Sequence, residues 1–226
     1  MQLLPGSGEP FERLVALLAE GRYRAAGIDA PFALPERHMP PGGHAALLAD
    51  LAAMPPADDR PFPRGAALME YARRRAALAS PKPARETERM HGATRSTLWN
   101  GARPGAPFAA ACLALLARAG RPVWPWKDAQ GMLVEVFPAA QLRAWGLPST
   151  NYASPEDRKV RAQIVAYLEE TRRLFIAPAE RKQMLASADA LDAVIAAFGA
   201  RAAANRTLLH AKPDNWRIEG AIAVHA

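Results

Sequence analysis

The run Ser187-Ala-Asp-Ala-Leu-Asp-Ala-Val-Ile-Ala-Ala-Phe-Gly-Ala200 sets the terms for the rest of the chain. Ser187 is a good N-cap, and Asp189 falls in the first turn, where negative charge suits the helix dipole. No charge follows Asp192 until Arg201, so the pattern predicts a helix that is apolar nearly all round and therefore buried. At about 100° per residue, Leu191, Val194, Ile195 and Phe198 share one face. Asp189 and Asp192, one turn apart, lie toward the other side among Ala193, Ala196 and Ala200. A solvated face would carry Lys, Glu or Gln there. Neighbouring carboxylates repel, and a divalent cation between them gives them a reason to sit together. The plainer alternative is a capping Asp189 and an exposed Asp192.

A chain of 226 residues, half of them hydrophobic, suffices for one good-sized α/β domain, and residues 1–226 are read as a single domain. The formal charge of +7 and a pI near 10.1 suit a polyanionic partner such as nucleic acid. The excess is mostly arginine in an Ala/Arg/Pro-rich chain, a composition that can also be a genomic habit. The single cysteine, Cys112, excludes an intrachain disulfide and a CxxC motif, and its apolar neighbours place it in the core. No basic, then apolar, secretory leader is evident at Met1. The longest uncharged apolar run, Gly105 to Ala117, is shorter than the roughly 18 residues of a membrane span. The reading is a soluble cytoplasmic protein with no membrane partner.

Residues Pro10 to Glu20 form an amphipathic helix ended by Gly21, and Arg24 to Ile28 a short buried strand. Asp29 closes that strand just before Ala30-Pro31. An acid there sits at the carboxyl edge of the sheet, where open α/β sheets bind ligands; the alternative is a turn-forming Asp. Residues 35–63, punctuated by Pro and Gly, read as an excursion over the surface, with a short helix at His44 to Ala53. His38 and His44 are too isolated to be ligands. A helix over Arg64 to Ala79 carries Arg73-Arg74-Arg75, either a solvated face or a nucleic-acid contact. After Pro81 and Pro83, Arg85 and Glu88 lie one turn apart, either as helix ion pairs or ordering a site.

Pro107 to Ala119 forms an apolar helix, and Arg121 to Trp126 holds a short strand. Met132 to Pro138 is the clearest strand. Glu135 within it needs a partner: a metal or an arginine, Arg85 being one candidate. A short helix ends at Gly146. A basic helix from Pro155 has Val160, Ile164, Val165 and Leu168 inside, with Arg158, Lys159, Arg161, Arg172 and Arg173 mostly outside. Trp216 to Val224 reads as a strand or hairpin. There is no internal repeat, P-loop, GxGxxG or zinc spacing.

Five motifs occur in order: Gly27-Ile-Asp29-Ala-Pro-Phe-Ala-Leu-Pro35, Arg85-Glu-Thr-Glu88, Val134-Glu135-Val-Phe-Pro-Ala139, Asp189-Ala-Leu-Asp192-Ala193 and Glu219-Gly-Ala-Ile222. Together they resemble domain-of-unknown-function family 429, predicted nucleases with an RNase H-like fold, over about Ala25 to Val224. The Asp-x-x-Asp-Ala helix is also similar to the last helix of RuvC-type Holliday-junction resolvases, which carries two metal-binding acids. The resemblance implies a central mixed β-sheet flanked by helices, with acids converging from strand ends and the last helix. It implies a metal-dependent nuclease using Mg²⁺ or Mn²⁺, with nucleic acid as partner. Asp29, Asp189 and Asp192 would be the metal ligands and Glu135 a further member of the catalytic set. Arg85 and Glu88 would position substrate or support the ligands.

Family members usually open with a hairpin whose first strand bears another metal-binding Asp, and no acid-bearing strand precedes Asp29. The chain is therefore expected either to start upstream or to lack the first strands and part of the metal site. The second case leaves an exposed sheet edge for a partner chain, such as a second copy, to cover. It also opens the alternative of an inactive relative that binds nucleic acid or protein. A third reading is a hydrolase of a small phosphorylated metabolite.

Overall fold

The computed structural model describes residues 10–58, 60–78, 83–93, 97–98 and 107–226. Helix α1 (Pro10–Glu20) leads into strand β1 (Ala25–Ile28), followed by α2 (Gly43–Ala53), α3 (Gly65–Arg73), α4 (Glu86–Met90) and α5 (Pro107–Ala119). Strands β2 (Val123–Trp124) and β3 (Met132–Glu135) come next. They are followed by α6 (Pro138–Ala144), α7 (Arg158–Glu170), α8 (Pro178–Ala186), α9 (Ala188–Asn205) and the single turn α10 (Trp216–Glu219).

The strands lie in the order β1-β3-β2, and all three are parallel. Ala25 stands opposite Met132, Ile28 opposite Glu135 and Val123 opposite Leu133. The protein is thus α/β, a small parallel sheet flanked by helices. The mixed sheet implied by the resemblance is not what these strands form. Helices α2 to α5 intervene between β1 and its partner β3, and a crossover of that kind joins parallel strands.

Strand alternation decides what each face meets. Ala26, Ile28, Val123 and Leu133 pack with Leu18 of α1, Leu47 and Leu51 of α2 and Leu113 and Leu116 of α5. Trp124, Met132, Val134 and Val136 point the other way, onto Ala196, Ala200 and Ala203 of α9. The far side of α9 presents Leu191, Ile195 and Phe198 to Leu142 of α6, Ile164, Val165 and Leu168 of α7, and Met184 of α8. A helix covered on both sides has no use for charge along its length, and this is why its sequence is apolar nearly all round. Its start is capped as expected: the Ser187 hydroxyl accepts from the Ala190 N–H at 3.4 Å.

Two glycines let α9 lie directly on the sheet. A Cβ on Gly27 of β1 would stand 2.4 Å from the Ala196 carbonyl oxygen, and one on Gly199 of α9 would stand 2.7 Å from that of Ala223. Neither position has room for a methyl group.

Several sequence expectations need correction. Residues 35–63 are not a surface excursion throughout, because His38, Leu47 and Leu51 are fully enclosed and α2 packs on α5. Arg161 is not outside. Positions 161, 164, 165 and 168 fall at i, i+3, i+4 and i+7, so the register of α7 turns Arg161 inward. Residues 216–219 form a helical turn, and Gly220, at φ 78°, releases the chain into an extended segment. That segment bridges Val136 through Ala223 in parallel and Leu208 through His225 in antiparallel sense. Helix α8, begun by Pro178 at its first position, had no counterpart in the sequence reading. Helix α3 ends at Arg73, short of the expected end at Ala79, because residues 74–78 turn away from helical geometry; the break at Pro81 and the first nine residues lie outside the described residues.

Candidate functional site

The same alternation separates the candidate acids into two sets. Residues 25, 27 and 29 face α9, so Asp29, just past the end of β1, comes out beside the first turn of that helix. Glu135 shares the opposite face with Leu133, toward α4.

On that opposite face is a buried ionic network. Arg85, 1% exposed, precedes α4 and forms a two-pronged pair with Glu135, its Nη1 donating to Oε2 at 2.8 Å and its Nη2 to Oε1. It also donates from Nε to Glu88 at 3.1 Å and from Nη1 to the Glu219 carbonyl at 3.1 Å. Glu88 in turn accepts from the backbone of Arg85 and from both the N–H and the hydroxyl of Thr97. Glu135 accepts the Phe32 N–H at 3.1 Å, and Glu219 accepts those of Glu36 and Glu86. Thr87 completes the set by accepting the Ile222 N–H at 2.8 Å. Burial pushes the Glu135 carboxyl up against the pull of Arg85. Burial would also discharge Arg85, but Glu135 and Glu88 outweigh it and hold the guanidinium charged. Of the two partners left open for Glu135, the arginine is the one in place. All four residues of the Arg85-Glu-Thr-Glu88 motif, with Glu135 and Glu219, are thus joined in one structural clamp.

On the α9 side a cleft of about 620 Å³ opens, lined among others by Asp29, Asp189, Tyr152, Arg143 and Phe108. Desolvation, then the charges of Asp192 and Glu135, push the Asp29 carboxyl up to about 7. Asp192 is raised to about 6 by desolvation, moderated by a hydrogen bond from the Tyr152 hydroxyl at 2.9 Å and reinforced by Asp189. Burial and Asp192 hold the Tyr152 phenol protonated. Asp189 is exposed in the first turn of α9. Asp29 and Asp189 line the cleft and Asp192 interacts electrostatically with each, whereas Glu135, Arg85 and Glu88, although they reach the cleft wall, are committed to one another.

Sequence reading missed Tyr152, Arg143, Phe108 and Arg161. Arg161 donates to the carbonyls of Tyr152 at 2.6 Å, Ser154 at 2.7 Å and Leu185 at 3.0 Å, fixing the loop that carries Tyr152. Helical register could have found Arg161; no local signal marks Tyr152. His44 and His91 are each lowered to about 4, first by burial, and are neutral. His44 stacks on Trp126 with ring centroids 3.6 Å apart and bonds the Phe32 carbonyl. A second cavity of about 580 Å³, around Arg24, Asp128 and Arg206, lies by the far end of α9 and contains none of the candidate acids.

The oxygen-only donor set of the cleft suits a hard cation. Mg²⁺ is commonly held by one or two carboxylates, with water and substrate phosphate completing its shell. Among the described residues no group of three or more His, Cys, Asp or Glu is arranged to hold a metal ion by itself.

Fold and cleft together define an α/β protein with paired carboxylates at the carboxyl edge of a parallel sheet. Residues 9–215 match the family described as protein of unknown function, DUF429, and the chain belongs to that family. No curated protein and no solved structure matches it.

Proposed function

We propose that this protein is a metal-dependent phosphodiesterase with an RNase H-like active site, a nuclease in which Asp29, Asp192 and Asp189 hold Mg²⁺ or Mn²⁺ against a phosphodiester. The observation that supports this most is the meeting of Asp29 and Asp192 at the sheet edge, each carboxyl raised toward neutrality with no cationic side chain among the causes. Carboxylates held together at such a site gain most from a bound cation. A divalent ion there supplies charge for the phosphoryl oxygens and an acidified water. The chain's own part is to orient and to exchange protons. Tyr152 fixes the Asp192 carboxylate, Arg161 fixes Tyr152, and Asp29 releases its proton as the cation binds.

Calorimetric titration of Mn²⁺ into the wild type and into the Asp189→Asn/Asp192→Asn double variant tests the site without a guess about substrate. Binding to the wild type that disappears in the variant is expected, and a screen of DNA and RNA substrates then follows. Absence of binding in both overturns the reading. A second reading, a relative that binds nucleic acid or protein without cleaving, draws support from the lack of a three-ligand cluster among the described residues. Salt-dependent nucleic-acid binding with no divalent-dependent cleavage would select it.

A further inference from the structure

The cleft wall carries an exposed aromatic ring that the acids do not need. Phe108, in the first turn of α5, is 68% exposed and lines the cleft. The other large apolar side chains exposed among the described residues, Leu17, Met90, Phe175 and Leu209, do not line it. Arg143 of α6 lies exposed on the same cleft. Its Nη2 donates to the His91 carbonyl, and its guanidinium sits 5.4 Å from the Phe137 ring centroid. Arginine has five N–H donors in a planar fork, so this anchoring leaves others to face a ligand.

We infer that Phe108 and Arg143 form a nucleotide-gripping rim, Phe108 stacking on one unpaired base of a single-stranded nucleic acid and Arg143 holding a phosphate of the same strand. The inference rests on the phosphodiesterase reading and names its substrate class. An aromatic face and a guanidinium on one cleft are the combination that single-strand binders use for base and backbone. The net charge of +7 suits a polyanion, whereas an apolar peptide would leave Arg143 unmatched. A cleft of about 620 Å³ has the size of a small-ligand pocket. It takes a nucleotide rather than a duplex, so a base must leave its stack to enter.

The test is fluorescence anisotropy with end-labelled oligothymidylate and an abasic strand of the same length. Measurement in EDTA prevents metal-dependent cleavage. The wild type is expected to bind the base-bearing strand about tenfold more tightly. Phe108→Ala should erase that preference, Phe108→Trp restore it, and Arg143→Ala weaken both strands alike. Equal binding of the two strands by the wild type, or a preference that survives Phe108→Ala, overturns the inference. Mn²⁺ binding without base preference leaves the metal site standing and removes the rim. Base preference without Mn²⁺ binding does the reverse.

Discussion

Asp29 titrates where its surroundings, not its chemistry, put it. Its carboxyl is raised from 3.8 to about 7, so the folded state favours the protonated form. The stability this contributes is complete below about pH 4 and is lost as pH rises through about 7. Asp192, raised to about 6, acts in the same sense. Asp29 is solvent-reachable, so screening reduces the size of the effect but not its sign. In metal-free buffer, urea midpoints of Asp29→Asn and wild type should therefore agree near pH 4 and diverge by pH 8, with the variant the more stable. The Mn²⁺ affinity of the wild type, followed by calorimetry, should rise across the same interval, because the ligands must be deprotonated. Arg85 behaves differently. Its removal strands Glu135 and Glu88 in the interior, and Arg85→Ala should cost about 3–5 kcal/mol in chemical denaturation. The sequence showed that Glu135 needed a partner and that Arg85 was a candidate. It could not show the choice between an arginine and a metal, because that depends on which face of β3 the side chain takes.

Among the elements, α9 was the most legible, since a capping Ser187 and an uncharged run leave few alternatives to a buried helix. Helix α1 and helix α5 also have the expected bounds, Pro10–Glu20 and Pro107–Ala119, because Gly21 and Gly120 stop them at left-handed φ. The short elements were harder. Helix α10 and the extended residues after it follow one another without a local break other than Gly220, and long-range bonds, such as that from the Ala223 N–H to the Glu135 carbonyl at 2.9 Å, decide which part is extended. The seat of α9 on the sheet depends on what is missing at Gly27 and Gly199, a contact no local pattern reveals. Gly199→Ala would bring a methyl carbon within 2.7 Å of both the Ala223 oxygen and Val136 Cγ1. That overpacking should destabilise the fold by about 1–3 kcal/mol. By shifting α9 against β1 it should also weaken Mn²⁺ binding, which calorimetry beside a urea titration would show.

Across the whole molecule, two cores lie on either side of the layer formed by the sheet and α9, one built mainly from residues before β3 and the other from residues after it. The carboxyl-terminal segment ties them together. Ile222 reaches Thr87, Ala223 reaches Glu135, and the His225 N–H donates to Gln141 at 2.7 Å. Ending the chain after Gly220 should therefore separate the unfolding of the two halves. Far-UV circular dichroism and tryptophan fluorescence, expected to coincide for the full chain, should then give two distinct urea transitions. The division of the acids between the two faces of the sheet carries a different consequence, one for descent. Arg85, Glu88, Glu135 and Glu219 brace the fold through hydrogen bonds and ion pairs in which Asp29, Asp189 and Asp192 take no part, although Asp29 and Asp189 share the cleft wall with three of its members. A descendant could lose all three aspartates without losing that brace, while remaining recognisable by the bracing motifs. Kinship and the proposed chemistry can thus be inherited separately, and a search for relatives that share that chemistry should be keyed to the first turn of α9 and the residue after β1.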